Sequence, residues 1–391
     1  MHSKYSLFSG FFVFLSCGII YTQVTARLPA LKAQTGITDS DVGIALMLLG
    51  VGSLTGFLTI SKVLKKLQVK TVLSVSLCSF LLICLFMSLV HSREILFALF
   101  ALWGYACAYL DVCMNTHAIF LEQKRQKPCL SSMHACYSAG CLLGSGIGSI
   151  FAFADLSLLI NFSIVGIILL GVFSYLRRFL LSDPVKAEPS PQKESAEQTT
   201  KTSKLPIFIV FCGLMGMFSY CAEGSVAEWG SIVLHQAKGA DEGLAALAYG
   251  TFALFMAISR FAGDHFRARF GDSKMILFGG TLALIGISIV ITSPSPYLCL
   301  LGYVFMGIGL SPVFPIAISN AGRSKEVSPK TASAIVSFVG YSGLLVIPPL
   351  LGFLAEHVGL ENALFLPFGA IILVICGSLA FRKRRIKKSI S

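Results

Sequence analysis

Long apolar segments alternate with short polar ones along the whole chain. About twelve of these segments reach roughly 20 residues, the length that a helix needs to cross about 30 Å of hydrocarbon. Their predicted bounds are approximately 7–28, 42–62, 69–91, 95–119, 130–152, 156–177, 206–233, 243–263, 274–292, 296–319, 331–354 and 361–381. The pattern predicts an all-α membrane protein with twelve transmembrane helices, numbered spans 1 to 12 in chain order.

One segment, residues 183–204, breaks this pattern. It is rich in Pro, Ser, Gln and charged residues, a composition that cannot form a packed core. It therefore predicts a cytoplasmic linker between two six-helix bundles, residues 1–182 and 205–391.

The two bundles also look related in sequence, since Tyr137-Ser138-Ala139-Gly140 in span 5 resembles Tyr341-Ser342-Gly343 in span 11. Related halves of this kind are typical of transporters in which one bundle rocks against the other.

Composition and charge placement agree with a membrane protein. The chain is 55% hydrophobic and 13% charged, against about 25% charge in an average soluble domain. The even-numbered loops and both tails hold 27 of the 31 Lys and Arg, and the other side holds four. Because cytoplasmic loops collect basic residues, both termini are predicted in the cytoplasm. This topology explains the net charge of +12, so a nucleic-acid partner is not expected. The expected partners are the lipid bilayer and a small molecule, and the protein is expected to be a monomer.

Motifs for enzymatic chemistry are absent from the sequence. It has no phosphate-binding Gly-x-x-x-x-Gly-Lys, no His and Cys at zinc spacing and no nucleophile elbow. No enzyme activity, cofactor or metal is therefore expected. Energy for any transport would come from a proton or ion gradient, and facilitated diffusion is the alternative.

Two acidic residues, Asp111 and Glu223, fall deep inside predicted spans, whereas the other Asp and Glu lie in loops or near span ends. A carboxylate at the bilayer centre costs about 3 kcal/mol, so one that persists usually faces a cavity and handles a proton, an ion or a polar substrate. Both are candidate proton-coupling residues.

The two carboxylates differ in predicted depth. Glu223 lies about ten residues before the outer end of span 7, roughly 15 Å at 1.5 Å per residue and near the midplane. It is the leading proton site, and a hydrogen bond that fixes helix packing is the alternative. Asp111 lies about eight residues from the inner end of span 4, with Asn115 on the same helix face at i+4. For Asp111, an inner gate that ties span 4 to Arg125 or to the loop after span 8 competes with proton carriage.

Other polar residues complete the candidate site. Hydroxyl, amide and aromatic side chains that can bind a ring or its hydroxyls predict a substrate cavity of Tyr21, Gln23, Asn115, Tyr220, Trp229, Asn320 and Tyr341. His134 is a candidate gating residue, with packing as the alternative. Arg27 could close an outer gate by pairing with Asp39 or Asp41, or simply extend to the interface.

Glycine and proline predict how some helices pack and bend. Gly140, Gly144 and Gly148 form a smooth stripe along span 5 that permits close approach of another helix. Pro348 and Pro349 in span 11, and Pro312 and Pro315 in span 10, remove backbone donors and should kink those helices.

A loop after span 8 carries a family resemblance. Arg269-Phe270-Gly271 stands where the major facilitator superfamily has an Arg-x-Gly motif, although Lys65 and Ala268 replace the usual acidic residue of the two halves. Asp264, one turn earlier, is the predicted partner of Arg269. Together with the span count and the central linker, this motif makes the whole chain resemble that superfamily.

Three further stretches resemble a narrower group. They are Asp111-Val112-Cys113-Met114-Asn115, Ala222-Glu223-Gly224-Ser225, and Gly340-Tyr341 followed by Pro348-Pro349. They are similar to a bacterial inner-membrane branch of unassigned substrate, distantly similar to fucose permeases. The resemblance implies a secondary active transporter, and the first expectation is a proton-coupled importer of a small polar solute, such as a sugar or sugar-like compound. The alternatives are an efflux antiporter and a non-transporting membrane receptor or scaffold.

Overall fold

The protein is helical throughout the part of the chain that the structure describes. The computed structural model describes residues 2–37, 39–183, 206–240, 242–325 and 327–390, with no β-strand in those ranges. The all-α fold class is confirmed. Apart from Asp183, the predicted linker, residues 183–204, lies outside the described residues.

In the described part of the first half, the structure has seven α-helices. They are α1 His2–Ala26, α2 Leu28–Thr35, α3 Asp39–Lys66, α4 Val69–Met87, α5 Arg93–Arg125, α6 Leu130–Phe153 and α7 Leu158–Leu176. Spans 1 to 6 correspond to these helices except α2, a short helix after α1.

Among the described residues of the second half, there are eight α-helices. They are α8 Ile207–Ile232, α9 Glu242–Phe270, α10 Asp272–Thr292, α11 Pro296–Leu310, α12 Val313–Gly322, α13 Pro329–Val358, α14 Leu360–Ala363 and α15 Phe365–Ile390. Span 10 is divided into α11 and α12 around Ser311 and Pro312, which confirms the break predicted there from proline. In contrast, α13 remains helical through positions 348 and 349, whose side chains lie outside the described residues.

Local sequence signals set several helix ends. The hydroxyls of Ser157 and Ser328 accept hydrogen bonds from the backbone N–H three residues later, at the starts of α7 and α13. Gly36 follows α2 with φ 65°, and Gly271 separates α9 from α10 with φ 81°. Glycine has no Cβ to oppose these left-handed conformations.

Two helices extend well beyond the hydrophobic segments that predicted them. Span 4 was predicted to end near residue 119, but α5 continues to Arg125, and α9 continues to Phe270 instead of residue 263. Polar residues in the added turns, including Glu122 and Arg267, are buried inside the protein. Hydropathy locates the lipid-facing length of a helix, so it misses turns that are covered by protein.

The same helix pairs recur in the two halves. In the first half, α1 packs along α6 and α3 along α5; in the second half, α8 packs along α13 and α9 along α11. The glycine stripe has the predicted role, because a side chain at Gly140 or Gly144 would overlap the backbone of α1 at Leu15 or Ile19. This close approach of α6 to α1 confirms the small-residue prediction.

The two halves contact each other mainly on one side of the molecule. We call the side on which α1 begins and α15 ends the terminal side, and the other the opposite side. Gln123 of α5 donates to the carbonyl of Gly322 in α12 (3.1 Å), and Lys330 of α13 donates to the carbonyl of Leu64 in α3 (2.9 Å). Both contacts lie at terminal-side helix ends.

The buried apolar residues divide in the same way. One described cluster joins the first half to terminal-side residues of the second half, such as Phe314 and Val336. A separate cluster contains only second-half residues, including Val226, Phe252 and Tyr303, which lie toward the opposite side. The halves therefore share a core on the terminal side and not in this opposite-side cluster.

Candidate functional site

Asp111 is at the centre of a hydrogen-bond network between the halves. Its carboxylate accepts from Asn115 Nδ2 on the same helix (3.0 Å), from Ser337 Oγ of α13 (2.8 Å) and from Tyr341 OH of α13 (3.3 Å). Asn115 Oδ1 lies 3.1 Å from Nε2 of His134 in α6, so that ring nitrogen can donate to it. Asp111, Asn115, His134 and Tyr341, predicted separately, thus form one network.

Asp111 lies farther from the end of its helix than the sequence predicted. Because α5 continues to Arg125, Asp111 lies 14 residues from the helix end, about 21 Å at 1.5 Å per residue. This is the middle of the 33-residue helix, not its last third. The proposed ties to Arg125 or to the loop after span 8 are also not its described contacts, which go to α13.

An aromatic stack lies beside the Asp111 network. The ring of Tyr341 stacks on Phe57 of α3 at 5.4 Å and on Tyr220 of α8 at 5.1 Å. His134 is placed edge-on between Phe14 and Phe314. Two predicted cavity residues, Tyr220 and Tyr341, therefore lie at the boundary between the halves.

Glu223 has a different environment from Asp111. It lies nine residues from the end of α8, about 14 Å along the axis, and its side chain is partly exposed. Among the described residues, its carboxylate has no hydrogen-bond or ion-pair partner. The charged group close enough to act on it electrostatically is the Arg260 guanidinium of α9. Both charges also interact electrostatically with three neighbouring side chains, those of Tyr220, Tyr249 and Cys141.

Arg260 is a buried cation that the sequence argument missed. Its side chain is 9% exposed, its Nη1 donates to Ser138 Oγ of α6 (3.2 Å), and its Nε is buried without a hydrogen-bond partner in the described part of the protein. The basic-residue count had assigned it to the loop after span 8. An Arg inside an apolar segment is the same kind of signal as the carboxylates of Asp111 and Glu223.

A second network, near the terminal side, centres on Glu122 of α5. Its carboxylate accepts from the backbone N–H of Cys129 (2.9 Å) and Leu130 (3.2 Å) at the start of α6, and from the Ser319 hydroxyl. It also pairs with Arg323 at 3.0 Å and with Arg267 at 3.4 Å. This buried carboxylate joins α5 to α9 and α12, a tie of span 4 to the region after span 8 that the sequence had suggested for Asp111.

The predicted pair of Asp264 with Arg269 was wrong. Asp264 of α9 accepts from the backbone N–H of Ser131 (3.2 Å) and Ser132 (2.7 Å) and from the Ser132 hydroxyl (2.6 Å). It therefore caps α6 of the other half. Arg269 is exposed and lies over the ring of Phe270, whereas Arg267 is the buried Arg of this loop, bound to Asp272 at 2.6 Å.

Two predicted cavity residues lie elsewhere. Gln23 is buried within the first half, where it donates to the carbonyl of Gly144 (3.0 Å) and accepts from Asn161 (2.7 Å). Asn320 donates to Asp272 (2.7 Å) in the terminal-side network. Both side chains hold helices together, because their amide groups are already bonded to protein.

Tyr21 and Trp229 also have neighbours within their own halves. Tyr21 stacks on Trp103 of α5 at 5.4 Å. Trp229 is partly exposed, and its ring lies next to Gly352 of α13. Neither has a described hydrogen bond with the other half.

Arg27 lies at the opposite-side end of α1, but its described partner is not an Asp. Its Nη2 donates to the carbonyl of Leu156 (2.7 Å), while Nε and Nη1 are buried without hydrogen-bond partners in the described part of the chain. Asp41 lies 4.0 Å from Arg93 instead. The Asp39 side chain lies outside the described residues, so the proposed pair with Asp39 stays a prediction.

Comparison with known proteins identifies related sequences. The family described as Major Facilitator Superfamily matches residues 7–263 and 214–390. An uncharacterized transporter of Sinorhizobium fredii is 27% identical over 364 residues, covering 93% of this chain and 95% of that protein.

Solved structures show the same fold at low sequence identity. A transporter named FucP, in its outward conformation, has a TM-score of 0.77 with 13% identity, covering 97% of this chain and 99% of that one. Another structure of the E. coli fucose:proton symporter has a TM-score of 0.74, also with 13% identity, covering 96% and 98%.

Proposed function

Since the chain belongs to the Major Facilitator Superfamily and is a multi-pass membrane transporter of that type, we propose that it moves a small polar solute by alternating access, driven by protons. A sugar or sugar-like compound fits the hydroxyl and aromatic groups of Tyr220 and Tyr341. The transporter acts as a monomer in the cytoplasmic membrane and works as an importer. Its terminal side faces the cytoplasm.

The observation that carries the proposal is the pair of opposite charges, Glu223 and Arg260, near the boundary between the halves, neither of which forms an ion pair among the described residues. A buried charge without an ion-pair partner is costly, so the buried Arg260 needs a partner at some stage of its function. A solute with hydrogen-bond-accepting groups can bind Arg260, and a proton can neutralise Glu223. Asp111, in contrast, already has three donors.

This difference supports separate roles for the two acids. Glu223 is partly exposed and can exchange a proton with a solute-filled cavity. The donors to Asp111 include Ser337 and Tyr341 of the other half, so its hydrogen bonds depend on the terminal side being closed. We assign proton coupling to Glu223 and stabilisation of the closed terminal side to Asp111. The similar FucP structure is in the outward conformation, which supports the assignment of a closed terminal side.

The test is transport by purified protein in proteoliposomes with an imposed pH gradient. A panel of labelled hexoses, beginning with fucose, and of sugar acids and polyols supplies the solutes. The parent should accumulate a solute inside when the gradient drives protons inward. Glu223→Gln should lose accumulation but keep solute exchange, because an amide and a protonated acid have similar shapes. Glu228→Gln, an exposed Glu of the same helix, is the matched control and should behave like the parent.

Each outcome decides between named functions. Unaltered gradient-driven accumulation by well-expressed Glu223→Gln would remove Glu223 from the mechanism. Movement of solute against the proton flow would indicate an antiporter. If the parent moves no solute in the panel, a receptor or scaffold is favoured over a transporter of these compounds.

A further inference from the structure

A groove of about 720 Å³ runs between α4 and α7 on the outside of the first half. It does not include Asp111, Glu223 or Arg260, so it is separate from the candidate transport site. Apolar side chains line most of it, among them Leu82 and Leu85 of α4 and Phe162, Ile167 and Leu170 of α7. Ile167 is 71% exposed and Leu82 is 52% exposed, as expected for a groove that opens to hydrocarbon.

The terminal-side end of the groove is basic. Ser74 and Arg177 line this end, and Arg177 Nε donates to Ser74 Oγ (3.0 Å). Lys70 donates to the carbonyl of Arg178 (3.4 Å), and the Arg178 guanidinium lies 3.8 Å from the centroid of the Tyr175 ring. In the described part of the chain, these three cations form no ion pair.

The carboxylate of Asp183, at the start of α4, does not neutralise this cluster. Asp183 accepts from the backbone N–H of Val69 at the start of α4 (2.9 Å), but its other oxygen is paired with Lys330 of the second half. Lys70, Arg177 and Arg178 are thus available to an anion from outside the protein.

The length of the groove matches one bilayer leaflet. Ser74 and Leu85 are eleven residues apart on α4, which corresponds to about 16 Å. This is close to half of the roughly 30 Å hydrocarbon thickness. A ligand that fits such a groove has a long apolar chain and a charged group at one end.

We propose that the groove binds one anionic phospholipid, with an acyl chain between α4 and α7 and the phosphate at Arg177 and Lys70. Basic pockets between transmembrane helices commonly bind anionic headgroups. The groove also has space for a chain at Gly166, because a Cβ added there would have no heavy atom within 4 Å. Charge at one end and an apolar wall along the rest distinguish this site from general lipid contact.

The test is native mass spectrometry of the full-length protein titrated with phosphatidylglycerol or phosphatidylcholine of the same acyl chains. The parent should bind the first phosphatidylglycerol at least tenfold more tightly than phosphatidylcholine. Arg177→Gln should remove most of that preference, and Gly166→Leu should weaken binding of the first lipid about tenfold by filling the groove.

Matched controls are present in the chain. Gly171→Leu changes another α7 glycine with open space around it that does not line the groove. Arg269→Gln removes an exposed Arg elsewhere on the terminal side. Both should bind lipid like the parent. Size-exclusion profiles and melting temperatures establish that each variant is folded. If Arg177→Gln does not fold, the affinity of the parent for the two lipids and the binding by Gly166→Leu still test the proposal.

Three results would overturn the proposal. They are equal affinity of the parent for the two lipids, parent-like binding by Gly166→Leu, and displacement of the bound lipid by equimolar inorganic phosphate. The last would show that the basic cluster binds free phosphate and that the groove does not hold an acyl chain.

Discussion

At the scale of single residues, the two deep carboxylates differ in how their charge is compensated. Asp111 accepts hydrogen bonds from both halves, whereas Glu223 has no described hydrogen bond and shares its surroundings with Arg260. Hydrogen bonds to charged groups contribute about 2 kcal/mol each. A ligand or side chain shifts a conformational equilibrium only if it interacts more strongly with one state than with the other. Asp111 should therefore favour the state with the terminal side closed, in which its hydrogen bonds to the other half form.

We expect Asp111→Asn to shift the protein toward the state that is open on the terminal side, by about tenfold in the ratio of the two states. The reason is the loss of charge from an acceptor that binds Ser337 and Tyr341 across the halves; about 1.4 kcal/mol corresponds to tenfold. The measurement is maleimide labelling of Ser333→Cys in a background without the native cysteines. Ser333 is buried between the halves, where it donates to the carbonyl of Val112, so labelling there reports opening.

Ser337→Ala is the control for this prediction, since it removes the same hydrogen bond while the carboxylate stays. It should shift labelling in the same direction. If Asp111→Asn instead eliminates solute binding while accessibility on both sides stays as in the parent, Asp111 belongs to the binding site and not to the gate.

The sequence identified some of these residues and missed others for a physical reason. Asp111 and Glu223 stood out because a carboxylate within an apolar segment is costly. Glu122 did not, because it follows the apolar part of span 4 and looks like a loop residue. Its burial depends on contact with Arg267 and Arg323 from the other half, and a pattern along one segment carries no information on that contact.

At the scale of helices, the terminal-side start of α6 is capped by carboxylates from both halves. The N-terminus of α6 has unpaired backbone N–H groups and a partial positive charge. Asp264 of α9 and Glu122 of α5 accept from these groups. When α9 moves away from α6, the Ser131 and Ser132 N–H groups lose their carboxylate, so the cap disfavours opening until other acceptors replace it.

Gly263 permits the close approach of α9 to α6. A Cβ at this position would lie 2.6 Å from Ser131 Oγ of the other half, nearer than such atoms can pack. We therefore expect Gly263→Leu to separate the helices and increase labelling of Ser333→Cys several-fold. Gly250→Leu is the matched control on the same helix, because no heavy atom lies within 4 Å of its added Cβ.

The glycine experiment has a clear contrary result. Labelling of Gly263→Leu at the level of the parent, in protein that melts at the parent temperature, would mean that α9 and α6 do not separate in the transport cycle. Equal increases in Gly263→Leu and Gly250→Leu would attribute the effect to the added leucine and not to the contact with Ser131.

At the scale of the whole molecule, the sequence predicted the number and order of the spans because each apolar segment must match the bilayer by itself. It also predicted that α6 would pack closely on another helix, since Gly140 and Gly144 form a stripe on one face. It could not predict which side is closed, because the contacts that close it depend on distant residues such as Lys330 and Leu64. The contacts of Gln23 were missed for the same reason.

The orientation of the molecule gives the last prediction. Lys and Arg residues remain more numerous on the terminal side even though Arg260 lies inside the protein. The other terminal-side Lys and Arg still far outnumber Arg27, Lys32, Arg93 and Lys238 on the opposite side. Cytoplasmic loops collect Lys and Arg, so the terminal side should face the cytoplasm. A tag after Ser391 and a tag within 190–200 should resist a membrane-impermeant label in intact cells and react after permeabilisation. A tag at 154–157, between α6 and α7, should react in intact cells, and external labelling of either of the first two would reverse the orientation assigned to the whole transporter.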